Sequence, residues 1–337
     1  LPDLDLFDPT EVTGDMLREQ ARAAEEAALA VEGVTNSEGA GASWSASRFT
    51  LVTSTGFSGS YRTSSQGVSV SVLAGSGTNM ERDYDFSSAR HREDLESAEL
   101  VGRRAAERAV RRLNPRKPRT ARVPVVFDPR VSRSLIGHLA GAINGQSIAR
   151  GTSFLKDRMG TAVFPAGVTV TDDPLRRRGL SSRPFDSEGV ATRPLDFIAD
   201  GVLTSWVLDS ASARQLGLRT TGHARRGTSG PPGPGISNFY MAPGKLSPAE
   251  LMADIREGFY VTELIGMGVN GVTGDYSRGA AGFWIENGAI AYPVNEVTIA
   301  GNLKDMFAAL APANDLEFRY GTDAPTVRIE GMTVAGS

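Results

Sequence analysis

The sequence has 337 residues, 40% hydrophobic and 22% charged, with a formal net charge of −3 and no cysteine. The length fits two domains better than one, and the near-neutral balance exerts no global pull on nucleic acid or an anionic membrane. Without cysteine there is no disulfide framework, iron–sulfur cluster, thiolate zinc or cysteine nucleophile, and the chain suits a reducing cytoplasm.

Residues 1–10 alternate Asp with Leu and Phe and read as an acidic arm. The arm has neither the basic start nor the apolar run of a signal peptide, and it lacks an initiator Met, so the numbering is expected to begin partway into a longer product. Glu11 to Gly33 is rich in Ala, Glu and Arg and predicts one long helix. From Ser43 to Phe86 the texture turns to Ser, Thr, Val and Gly, and Val68-Ser69-Val70-Ser71-Val72 alternates as a half-buried antiparallel strand does. A second helix is predicted over Glu93 to Leu113, carrying Arg103, Arg104, Arg108, Arg111 and Arg112. With no aromatics interleaved for base stacking, this basic cluster reads as a solvated helix face rather than a nucleic-acid patch.

The three prolines of Asn114 to Pro124 mark a linker. The expected organisation is therefore an N-terminal α+β domain over residues 1–116 and a strand-rich domain over residues 122–337. The second domain opens with a strand, Val123 to Phe127, followed by a helix within Ser134 to Leu155. Asp200-Gly201 and Asn287-Gly288 are hairpin turn signals. Ser247-Pro248-Ala249-Glu250 is a capping box that opens a helix, and Gly301 to Leu310 predicts another. Helices and hairpins mix without regular β-α-β alternation, so the fold class is α+β, with no repeat and no apolar run of transmembrane length.

Three histidines, His91, His138 and His223, are scattered singly, with no pair at metal-ligand spacing. His91 lies among acids at a helix start and reads as a surface residue. No nucleophile elbow precedes a helix, because Gly227-Thr228-Ser229-Gly230 runs into Pro231-Pro232. The Gly/Pro segment from Arg225 to Met241 is either a binding loop or a surface excursion. Gly274 to Gly279 lacks a Walker lysine. At 100° per residue, Leu135, Ile136, Leu139, Ala140 and Ile143 form one stripe, while Gly137, Gly141 and Gly145 share the other side with His138. Glycine costs up to about 1 kcal/mol per helix position relative to Ala, so the row needs a reason. Either an extended peptide approaches a groove free of side chains, or the helix packs tightly on a sheet of its own chain, the plainer alternative.

Four stretches carry a resemblance: GHLAGAINGQSIARGTSFL, FYVTELIGMGVNGVTGDYSRGAAGFWIENG, YPVNEVTIAGNLKDMF and the helix SARHREDLESAELVGRRAAERAVRRL. With LPDLDLF at the start, they are similar to the TldD/PmbA family, once called modulators of DNA gyrase, and to its PmbA or TldE branch. The resemblance covers most of the chain and implies that about the first quarter of the family's length lies outside it. In that family the TldD branch is a zinc peptidase with an HExxxH motif before a Gly-Thr-Ser turn and a late cysteine. Aligned on Gly151-Thr152-Ser153, those motif positions fall here on Ile136, Gly137 and Gly141, none of which binds zinc or acts as a base.

The resemblance implies a subunit with no cofactor of its own and no catalytic residue. Its partner would be a TldD-type zinc protease subunit, together acting on small or unfolded peptides; relatives are tied to maturation of a peptide antibiotic and degradation of an antitoxin. The expected location is cytoplasmic, with no membrane or direct nucleic-acid contact, and homodimer versus heterodimer stays open, a homodimer being one form for the chain when alone. The competing readings are a peptide-binding module without a protease partner, and a stand-alone hydrolase using His138 or His223 with a serine. Residues expected to face peptide or partner are His138, Gly151, Thr152, Ser153, Asn238, Asp275, Tyr276 and Arg278. For the last three, Asp–Arg pairing in a tight loop is the alternative.

Overall fold

A computed structural model describes residues 1–336. The first predicted helix forms as α1, Gly14–Leu29, started by Thr13, whose side chain accepts from Met16 N. Three antiparallel strands follow, β1 (Val34–Val52), β2 (Ser58–Ala74) and β3 (Glu81–Ala89), in that spatial order. The sheet thus begins nine residues before the expected Ser43, because Ser and Gly on an exposed face hide the alternation there. The second helix, α2, spans Ala98–Arg111; the residues before it make only a single 3-10 turn, Arg92–Asp94, and Ser97 caps the helix on Leu100 N.

Val68, Val70, Val72 and Ala74 bury one face of β2 with Ala24, Ala28, Val101, Ala105, Ala106 and Ala109 of the two helices. Alanine permits close helix packing, and Gly102 is required at the crossing, since a Cβ there would collide with the Ala24 carbonyl oxygen.

At three places, partners distant in sequence alter what the sequence alone suggests. The basic cluster is a solvated face only at Arg103 and Arg111, which are exposed. Arg104 and Arg108 both bind Asp85, at 2.7 and 3.0 Å, and Arg112 reaches Glu263 at 2.6 Å and Glu81 at 3.4 Å. The acidic arm is not free: Leu4 and Leu6 are buried, Asp8 N bonds Ser64 Oγ at 2.8 Å, and the Asp8 carboxylate accepts from Gln66 and from Arg92 N. His91 is buried rather than on the surface, its Nε2 being 3.0 Å from Asp5 O.

Beyond the proline-rich stretch come β4 (Ala121–Phe127), α3 (Pro129–Ala142), α4 (Gly145–Ala149), β5 (Val170–Asp172), β6 (Leu195–Ala199), β7 (Val202–Leu203) and α5 (Ser210–Gln215). The last expected linker residues are therefore already strand. Then follow β8 (Ala224–Arg225), β9 (Gly233–Pro234), β10 (Phe239–Met241), α6 (Pro248–Met252), β11 (Glu257–Ile265), β12 (Asp275–Glu286), β13 (Ala289–Asn302), α7 (Leu303–Ala308), β14 (Leu310–Pro312), β15 (Thr322–Asp323) and β16 (Val327–Ala335). The capping box at Ser247 forms, and the Asn287-Gly288 turn joins β12 to β13 with φ of 50° and 80°, as a two-residue hairpin requires.

Six strands run in the order β13-β12-β11-β4-β16-β14, and β13 also pairs with β16, so five of them close into a ring. A five-stranded sheet, β15-β10-β5-β6-β7, packs into the same core, with α3 against both. The fold is α+β. Among the described residues no helix is long and apolar enough to cross a membrane.

Candidate functional site

Asp128 starts α3: its Oδ1 accepts from Arg130 N at 2.9 Å, with Pro129 at the first helical position. The helix buries Val131, Leu135, Ile136, Leu139 and Ala142 against the ring and the five-stranded sheet. On its other side Gly137 and Gly141 are exposed, and a Cβ at either would meet nothing within 4 Å. For these two glycines the tight-packing alternative is wrong, because the backbone faces open space. Gly145 differs. The chain breaks after Ile143, Asn144 caps the separate helix α4 through Gln146 N, and a Cβ at Gly145 would stand 2.6 Å from Leu208 Cδ2. The single helix expected from Ser134 up to the Gly151-Thr152-Ser153 turn is thus two, the first of them starting earlier, at Pro129, and the glycine row divides into two open positions and one packed one.

The open face floors a cavity of about 330 Å³ lined by Gly137, His138, Gly141, Thr152, Phe154 and Arg278. Its far wall is the loop between β11 and β12, including Met267 and Val269, tied down where Phe154 N donates to Gly271 O at 3.0 Å. Met267 is 90% exposed and makes an apolar lip. A second cavity, about 530 Å³, shares Gly137 and Arg278 and continues toward Arg133 and Arg130. Together they form a groove along the bare face of α3.

His138 Nε2 is buried without a hydrogen-bond partner, and so is the hydroxyl of Tyr276, whose ring lies edge-on at 6.1 Å between centroids. Burial first, and then the Arg278 charge, push the His138 pKa below its ordinary value, so the ring is neutral at pH 7. Burial raises the Tyr276 pKa. Arg278 Nε donates to Ile265 O at 3.2 Å. Asp275 does not pair with it. That exposed carboxylate accepts from Thr273 Oγ1 at 2.6 Å and Asn302 Nδ2 at 3.1 Å, and these bonds lower its pKa.

The remaining predicted residues separate. Gly151, at φ 69°, ends α4, and Thr152 lines the groove. Ser153 is buried: its Oγ donates to Ala142 O at 2.6 Å and accepts from Leu155 N at 3.0 Å, joining the end of α3 to the next turn. Asn238 is also buried and away from the groove, bonding Ser181 N, Asp173 O and Ser182 Oγ. The ends of the Gly/Pro segment before it are joined by the β8–β9 pair, and the residues between them form a mostly exposed loop, which fits the surface excursion. Met267, Phe154 and Arg133 escaped the sequence reading. The only signal for Met267 was an apolar residue between Gly266 and Gly268 in a turn.

Among the described residues, neither His138 nor His223 touches a serine hydroxyl. His223 Nε2 is 3.0 Å from Asp172 Oδ2 and Nδ1 is 2.8 Å from Thr221 O, while Ser237 Oγ donates to Asp172 at 2.6 Å. The carboxylate, not the imidazole, is the bridge, so the serine has no base. The zinc that the family resemblance implies does not fit these residues either. Ile136 packs into the core, Gly137 and Gly141 have no side chain, and among the described residues no three His, Cys, Asp or Glu side chains converge.

The model of the family described as PmbA/TldA metallopeptidase C-terminal domain matches residues 120–336, and that of the central domain matches residues 7–113. The chain is 44% identical over 337 residues to a protein of Escherichia coli O157:H7 named metalloprotease PmbA, covering 99% of this chain and 73% of that one. A crystal structure from Thermotoga maritima, titled as a modulator of a DNA gyrase, superposes with a TM-score of 0.91 at 27% identity, covering 99% of this chain and 78% of the other. TldE from Thermococcus kodakarensis shares the fold, with a TM-score of 0.86 at 23% identity over 97% of this chain and 75% of the other.

Proposed function

The chain belongs to the PmbA/TldD metallopeptidase family, and from that premise we propose that it is the zinc-free subunit of a two-subunit protease, walling part of the channel that holds a peptide. The observation that carries this reading is the bare face of α3, where a Cβ at Gly137 or Gly141 would meet nothing within 4 Å. A helix tolerates two such glycines when another backbone must approach closely. The groove above them suits an extended chain rather than a folded protein, which limits substrates to small or unfolded peptides. His138 borders it and contributes the side of its ring to the wall, with Nε2 turned into the protein.

In this reading zinc belongs to a TldD-type partner carrying HExxxH, and this chain contributes shape and hydrogen bonds. The purified chain, assayed alone, is expected to hold no stoichiometric zinc and to cleave no peptide. Adding the HExxxH sister is expected to yield chelator-sensitive cleavage. Stoichiometric zinc in the isolated chain, or chelator-sensitive cleavage by it alone, overturns the proposal.

A further inference from the structure

We propose that the arginine end of the groove, at Arg133 and Arg278, holds a carboxylate of the bound peptide. The inference rests on the groove reading above and adds what the peptide must carry.

The larger cavity is walled by Arg82, Arg130, Arg133 and Arg278 against one acid, Glu263. Two of the four are neutralised within the chain: Arg82 lies 3.2 Å from Glu263, and Arg130 lies 2.8 Å from Asp83. Glu263 is also claimed from behind by Arg112 at 2.6 Å. Among the described residues, no carboxylate lies within 4.0 Å of Arg133 or Arg278. Arg278 spends Nε on Ile265 O, and Arg133 spends Nε on Arg130 O while its guanidinium lies 4.3 Å over the Tyr320 ring. Both keep their terminal nitrogens. The nearby Asp323 is occupied by the backbone N–H groups of Arg319, Tyr320 and Gly321.

The Arg130 side chain is only 10% exposed, and its unpartnered Nε is sealed from the groove, so the donors open to a ligand are those of Arg133 and Arg278. A planar, two-pronged guanidinium matches a carboxylate better than any other peptide group. Gly137 and Arg278 border both cavities, so a chain lying over the glycines brings its end, or an acidic side chain, to these arginines.

The test uses the full chain and an N-terminally labelled neutral peptide in three forms: free C-terminal acid, C-terminal amide, and amide with one Glu near its end. Fluorescence anisotropy is expected to give the free acid about tenfold tighter binding than the amide, in line with one charged hydrogen bond. Arg278→Gln is expected to erase that difference, Arg278→Lys to restore part of it, and Arg133→Gln to reduce it. The Glu form distinguishes the sources: binding like the acid means a side chain serves, and binding like the amide means the terminus is read. Equal binding of acid and amide, or an acid preference that survives Arg278→Gln in a variant with an unchanged melting curve, overturns the carboxylate site and leaves the peptide groove standing. Binding of none of the three overturns both.

Discussion

The imidazole of His138 stands edge-on to the ring of Tyr276, 6.1 Å between centroids, and neither polar end has a partner. The burial of this imidazole sets a pH dependence. The folded pKa of His138 lies below the unfolded value of 6.5, so the unfolded chain binds the proton more readily. The stability linked to this residue is complete above pH 6.5 and falls as the pH drops from there toward the folded pKa. An NMR titration is expected to place the His138 midpoint below 6.5. Arg278→Gln should raise it only partway, because burial is the larger cause. A midpoint at or above 6.5 would contradict the buried, neutral ring.

The glycines of α3 and α4 predict opposite responses to the same substitution. Gly141→Ala adds a methyl group to open space inside a helix, so it is expected to stabilise the chain by about 0.5–1 kcal/mol. Gly145→Ala drives a methyl group to within 2.6 Å of Leu208 and is expected to destabilise by about 1–3 kcal/mol. Gly141→Leu should keep the fold and weaken peptide binding by filling the cavity. Urea melts with peptide titrations separate the three cases. If Gly141→Leu binds peptide as well as the unaltered chain, the groove is not the binding surface.

Arg112 ties the helical sheet layer to the strand ring. Its side chain is 8% exposed and lies 2.6 Å from Glu263 on β11 and 3.4 and 3.6 Å from Glu81 and Asp83 on β3. Removing it strands carboxylates in a site with little water. Arg112→Met is expected to cost about 3 kcal/mol, by analogy with other broken buried pairs. Exposed Arg103, about two and a half helical turns away on the solvent side, is the control, and Arg103→Met should be neutral within about 0.5 kcal/mol. Equal losses for the two would mean that the network adds nothing.

Local signals in the sequence were read reliably where they act locally. Ser247 caps a helix through its own backbone neighbour, and Asn287-Gly288 turns a hairpin by its own dihedral angles. Of the stripe Leu135, Ile136, Leu139, Ala140 and Ile143, all but the half-buried Ala140 are buried, because periodicity on one helix needs no knowledge of its partner. What stayed hidden depends on distant residues. Arg104 looks solvated until Asp85 and Glu96 fold against it, and the acidic arm looks free until Ser64 and Arg92 receive it. The break at Asn144 was missed because one residue had to be read as a cap inside an apparently continuous pattern. In the groove, the bare glycines were visible. The lip at Met267 and the charge of Arg133 were not, since nothing local links them to α3.

Thr152 and Ser153 are adjacent, and the structure gives them different work. The Ser153 hydroxyl spans Ala142 O and Leu155 N inside the core, whereas Thr152 lines the groove beside His138 and Gly141. Ser153→Ala leaves a buried carbonyl and a buried N–H without that partner, and is expected to cost about 1–3 kcal/mol of stability. Peptide affinity of the folded fraction should stay unchanged. Thr152→Val keeps the shape and removes a hydroxyl that donates weakly to Ser147 O at 3.3 Å, so its stability change should stay under about 1 kcal/mol. Any effect of that variant should fall on peptide binding instead. Thermal melts and anisotropy titrations on both variants decide the matter. A Ser153→Ala chain that melts normally but binds peptide poorly would move the serine out of the core and onto the substrate.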